Sequence, residues 1–217
     1  MTIISTASST NVTDVLSELL AQEQPTVDMM IGIGVDKTSD HVYFQYVGDQ
    51  QTPTALSYAS GKPLTRIPNV VLTGVSVSDP IGDFNMVKLN AFFNTGTSTL
   101  MLTSGLTTIW SQCLITGLMG VLNDGDLDAP LSVDTWKGNS KLRPCFAAVR
   151  QGAEKLSDND TYELLSTART DRNKEQTETI MRNCIAMLNE QVTGEPVTQT
   201  EVIDVTEEDS EKSPSDF

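Results

Sequence analysis

The amino-acid sequence predicts an α+β protein, mainly β, on three observations. Between residues 70 and 151, short runs of alternating apolar and polar residues are cut by turns containing Gly, Asp and Asn, which is strand patterning. Within that stretch, Ile109, Trp110, Cys113, Leu114, Gly117, Leu118, Val121 and Leu122 keep helical spacing instead. Two more helical patterns follow, at 160–168 and 175–190, before the large apolar residues give way to acids after Gly194-Glu195-Pro196.

Taken along the chain, residues 1–69 read as an N-terminal extension. Its first ten residues are rich in Ser and Thr, and Asn11 or Thr13 caps a short helix with Val15, Leu16, Leu19 and Leu20 on one stripe. Met29 to Val35 and His41 to Val47 are strand-like runs joined by the polar link 36–40, which predicts a hairpin. In the second run Val42, Phe44 and Tyr46 are expected in the core, leaving Tyr43 outside. Residues 48–69, with Pro53, Pro63 and Pro68, read as a loop.

The central unit, 70–151, is expected to hold strands at Val70–Ser78, Met86–Asn94 and Ser98–Thr103. A helix capped by Thr107 or Thr108 comes next, then strands at Leu131–Lys137 and Lys141–Arg150. Val71, Thr73, Val75 and Val77 are expected on one face of the first strand. Residues 152–193 form a helical segment, with Ile180, Cys184, Met187 and Leu188 on one side, and 194–217 an acidic tail, disordered by composition.

The order β-β-β-α-β-β is that of the oligonucleotide/oligosaccharide-binding (OB) fold, so the expectation is an OB-like five-stranded barrel with its helix between the third and fourth strands. Alternation then assigns faces. In the second strand Val87, Leu89, Ala91 and Phe93 point inward, leaving Lys88 and Phe92 outside; in the fourth, Leu131, Val133 and Thr135 point inward, leaving Asp134 and Trp136 outside. Lys137, Lys141, Arg143 and Arg150 follow closely. Outward rings beside cations suit a sequence-tolerant binder of unpaired nucleotides, because bases stack on the rings and cations track the phosphates.

Charge is uneven along the 217 residues. The whole chain carries −15, yet residues 41–150 are neutral, while 194–217 alone carry −7. A neutral domain can gather a basic face even in an acidic protein. The single histidine, His41, excludes catalytic triads and two-histidine metal sites, and Asp124, Asp126 and Asp128 lack the Glu that a calcium loop needs. No phosphate loop or dinucleotide fingerprint is present. The expectation is therefore a non-enzymatic protein without metal or cofactor. Three widely spaced cysteines and the absence of a secretory leader or membrane span point to the cytoplasm.

The tail runs from Val202 through Glu207-Glu208-Asp209 to Asp216-Phe217, an aromatic beside acids, which is a portable ligand for a partner pocket. Together with the element order it resembles the prokaryotic and phage single-stranded DNA-binding proteins. That resemblance implies binding of single-stranded DNA, or RNA, in replication, recombination or repair. It also implies recruitment of partner enzymes through Asp216 and Phe217, and a homo-oligomer. The alternative is a phage structural or accessory subunit whose exposed aromatics form an oligomer interface.

Overall fold

The computed structural model describes residues 27–47, 52–82 and 85–194. The helix expected near residues 13–20 and the acidic tail with Asp216 and Phe217 lie outside them. The strands are β1 (Met29–Ile33), β2 (Tyr43–Val47), β3 (Thr52–Ala55), β4 (Arg66–Val77), β5 (Lys88–Asn94), β6 (Thr99–Gly105), β7 (Leu131–Lys137), β8 (Cys145–Gln151) and β9 (Glu154–Leu156). The helices are α1 (Ile109–Asp124), α2 (Asn159–Thr170) and α3 (Lys174–Thr193).

The protein is α+β, and the β-β-β-α-β-β order is present as β4-β5-β6-α1-β7-β8. The expected closed five-stranded barrel is not: the strands form one open nine-stranded sheet in the order β3-β2-β1-β6-β5-β4-β7-β8-β9. The difference has a specific cause. β1 pairs in parallel with β6, Met30 beside Met101 and Ile31 beside Leu102, so the hairpin takes the free edge of β6 and lengthens the sheet. Every other ladder is antiparallel. Residues 48–69, read as a loop, contain β3 and the start of β4; Pro53 sits on an edge strand, where a missing N–H costs no ladder bond.

β4 is the hinge of the sheet. Its first part pairs with β7 (Arg66 beside Asp134, Val70 beside Leu131) and its second with β5 (Val75 beside Ala91). A bulge between Leu72 and Gly74 changes the face halfway, so Val70, Leu72 and Val75 are buried and the expected single row of Val71, Thr73, Val75 and Val77 is broken. Beyond Val70 no β7 residue pairs with β4. There Asn189 of α3 takes the place of a strand: Val75 N–H donates to its Oδ1 (2.8 Å), and its Nδ2 donates to Val75 O. An otherwise open edge is thereby blocked.

The core lies between the curled sheet and the helices. Thr108 caps α1, its hydroxyl accepting from Ser111 N–H, and Trp110, Leu114, Ile115, Leu118 and Val121 are buried. Gly117 and Gly120 let α1 sit against β8 and the β9–α2 link. A β-carbon on Gly120 would lie 2.4 Å from Ser157 N, and one on Gly117 would lie 2.6 Å from a Val149 methyl. On α3 the buried side is Thr177, Met181, Cys184, Ile185 and Leu188; Met187, expected inside, is half exposed.

One buried polar chain joins the hairpin to the rest. Trp110 Nε1 donates to Thr135 Oγ1 (3.0 Å), and the Tyr43 hydroxyl lies 2.7 Å from that oxygen and 3.0 Å from Val133 O. One phenol proton cannot serve both oxygens. The consistent chain has Tyr43 donating to Val133 O and Thr135 donating to Tyr43, which leaves every polar atom paired. Tyr43, expected outside, is thus fully buried, and burial pushes its phenol well above the ordinary tyrosine range. For β2 to reach β7 in this way, the open sheet must curl.

Candidate nucleic-acid interface

β7 alternates as its sequence requires: Leu131, Val133 and Thr135 are buried, whereas Trp136 is 44% exposed. Trp136 pairs directly with Phe146 of β8, and the rings stack at 5.9 Å between centroids with 16° between planes. The pair stands at a corner of the sheet. β9 covers β8 only from Val149 to Gln151, so no strand lies beyond Phe146. Stacking holds the indole in one orientation while leaving part of it open to solvent.

Beside the rings, Asp134 holds two guanidinium groups. Arg66 grips it in a fork, with Nη2 to Oδ2 at 2.9 Å, and Arg150 Nε donates to the same Oδ2 at 2.9 Å. Arg150 also donates to Ala153 O at 3.1 Å. The Arg66 hydrogen bond lowers the Asp134 carboxyl below its ordinary range; burial opposes it less strongly, and the Arg150 hydrogen bond adds a still smaller lowering. The triad keeps one net positive charge. A shallow groove runs past it, lined by Tyr58, Thr65, Arg66, Asp134, Thr135 and Trp136. The Tyr58 hydroxyl lies 3.3 Å from Thr65 Oγ1.

The residues singled out in the sequence divide into two groups. Trp136 lines this groove, Arg150 is joined to it only through Asp134, and Lys137, Lys141 and Arg143 stand at the adjoining end of β7 and β8. Of these, Lys137 Nζ is held by the backbone oxygens of Asp36 (2.8 Å) and Ser39, Arg143 pairs with Asp40, and Lys141 is exposed. Lys88 and Phe92 lie elsewhere. Phe92 pairs with Gly74, and Lys88 bonds Ser78 just beyond the opposite end of β4 from Arg66. Phe92 is only 9% exposed, which corrects its expected place on an open surface. It stands in an apolar row, with Met101 directly opposite on β6 and Met30 next on β1.

Arg66, Tyr58 and Phe146 were not foreseen. Phe146 could have been found, since it shares alternation with Arg150 on the strand opposite Trp136. Arg66 and Tyr58 were hidden in a proline-containing stretch without regular alternation. Among the described residues no helix is long and apolar enough to cross a membrane. In comparisons with known proteins, the chain matches no family model, no curated protein and no solved structure.

Proposed function

We propose that the protein binds single-stranded nucleic acid, with DNA as the favoured ligand, along the groove at Trp136, and that it does so without catalysis. The observation that supports this most is the half-exposed Trp136, braced by Phe146 and sharing its groove with Arg66 and with Asp134, which also holds Arg150. Nucleobases stack on such a platform at ~1–3 kcal/mol each, and the guanidinium groups exchange part of their bond to Asp134 for phosphate. Lys137, Lys141 and Arg143 extend the cationic track. In this reading β4-β5-β6-α1-β7-β8 is an OB-type unit, opened on one side where β1 occupies the edge of β6. The acidic tail, through Asp216 and Phe217, supplies the contact with replication or repair partners.

Tryptophan fluorescence tests the proposal directly, because Trp110 is buried and only Trp136 is open to a base. Oligo-dT is expected to quench part of the emission, with an affinity that falls as salt rises, and Trp136→Ala is expected to abolish the quenching. No quenching and no gel shift at low salt rejects it. A second reading, an oligomer interface, draws on Leu142, 82% exposed near the same strands' turn. Sizing of a Leu142→Ser variant without nucleic acid separates the two.

A further inference from the structure

A second concavity lies among the helices and shares no residue with the groove at Trp136. It is a cleft of about 260 Å³ between α1, β8, β9 and α2. Sites for drug-sized ligands run from ~300 to ~1,000 Å³, so this one suits a smaller molecule. Gly117, Val149, Leu156 and Leu165 form its apolar wall. α1 and α2 flank it in opposite directions. Thr116 O accepts from Asp158 N–H just before α2 begins, whereas Arg169, near the end of α2, reaches back to Gln112 near the start of α1. The trough therefore has two distinct ends.

The ends differ in charge. At one, the Asp158 carboxylate caps α2, accepting from Thr161 N–H at 2.8 Å. At the other, Arg169, Arg172 and Lys174 gather around a hollow that adjoins the cleft through Gln112 and Arg169. Among the described residues these three cations hold no carboxylate, whereas Arg66, Arg143, Arg150 and Arg182 each hold one. Neither concavity is lined by an Asp or Glu, in a chain of charge −15. Gln112 is buried; its Nε2 donates to Thr107 O at 2.9 Å, and its Oε1 receives a long 3.4 Å bond from Arg169 Nη1. A guanidinium carries five N–H groups, so Arg169 stays tethered through one of them and keeps an edge open for a carboxylate.

An apolar trough with a cation at one end and a carboxylate at the other selects a ligand by shape, sign and direction. We propose that the cleft binds a small amphipathic monoanion, an aliphatic carboxylate, with its head on Arg169 and its chain along Gly117, Val149, Leu156 and Leu165. The head is turned away from Asp158 by like charge, and Arg172 and Lys174 add attraction from behind Arg169. Each methylene laid on the wall strengthens binding by about fourfold, so the chain supplies most of the affinity and the head sets the orientation. The inference stands independently of nucleic-acid binding.

Calorimetric titration of full-length protein with decanoate, below its micellar concentration and without oligonucleotide, tests the proposal. One saturable site is expected. Arg169→Gln should weaken it about tenfold, while Trp136→Ala leaves it unchanged. Arg169 is exposed, so this variant is expected to melt like the unaltered chain. Two measurements need no variant. Decylammonium, the same chain with the opposite charge, should bind about tenfold more weakly than decanoate. Cys113 lines the cleft, so saturating decanoate should slow its alkylation by iodoacetamide, with the buried Cys184 as an unchanged reference. Absence of saturable binding, equal affinity for decylammonium, or undiminished affinity in Arg169→Gln overturns the proposal. Saturable binding that leaves the Cys113 rate unchanged, or that Trp136→Ala removes, places the ligand elsewhere and overturns it as well.

Discussion

Phe92 on β5 and Trp136 on β7 obey the same rule and meet different fates. Each is a ring at an outward position of an alternating strand, beside an inward residue, Ala91 for Phe92 and Thr135 for Trp136. Phe92 is 9% exposed and Trp136 44%. β5 is an inner strand of the sheet, and β1 and β6 bring Met30 and Met101 into the row of Phe92. β7 is also inner, but Trp136 lies past the point where β4 and β9 pair, so Phe146 is its one strand-paired ring and a shallow groove opens on its other side. Alternation assigns a face, whereas the extent of the neighbouring strands decides whether that face is covered.

The largest expected difference is in stability. Phe92→Ala should cost about 3 kcal/mol in urea unfolding, as a buried ring leaves a cavity, while affinity for oligo-dT stays within twofold. Trp136→Ala should do the reverse. Its loss is about 1–3 kcal/mol of binding, roughly 5- to 150-fold, with little change in the unfolding midpoint. If both variants lose stability equally, the contrast between a covered and an open ring is wrong.

Smaller effects refine the open side. Arg150→Ala should weaken oligo-dT binding and flatten the slope of log affinity against log salt by about 0.7, the value for one phosphate contact on a single strand. Lys88→Ala, at the covered strand, should leave that slope unchanged.

The smallest effect is on acid stability. Arg66 and Arg150 hold the Asp134 carboxyl below its ordinary 3.8. Its folded value is therefore below its unfolded one. The stabilisation is fully present above the unfolded value and is lost as pH falls through that range and the lower folded value. Asp134→Asn should lower stability near neutrality and flatten the acid limb below about pH 4, so that the two profiles converge in acid.

Much of the local structure could be read in the residues. The bounds of β7, a cap at Thr107 or Thr108 and the general extent of α1, α2 and α3 follow from periodicity and capping, which act within a few residues; the structure places the cap at Thr108. The placement of Tyr43 could not be read the same way. In β2 both alternating rows carry aromatic or apolar groups, so the pattern does not choose a core face; the hydrogen bonds of Tyr43 to Thr135 and Val133 across the interior do.

The sequence by itself determined the β-β-β-α-β-β order, the inward row of β7 and the outward Trp136, because each depends on local dihedrals, spacing and turn chemistry. Only the tertiary structure decided that β1 extends the sheet through β6, that Phe92 is covered, and that Arg66 joins Arg150 on Asp134. Those outcomes rest on contacts between residues some 70 positions apart, Met30 with Met101 and Arg66 with Asp134. No short-range pattern encodes such a pairing, since it is selected by the apolar surface and charge that distant segments bury together.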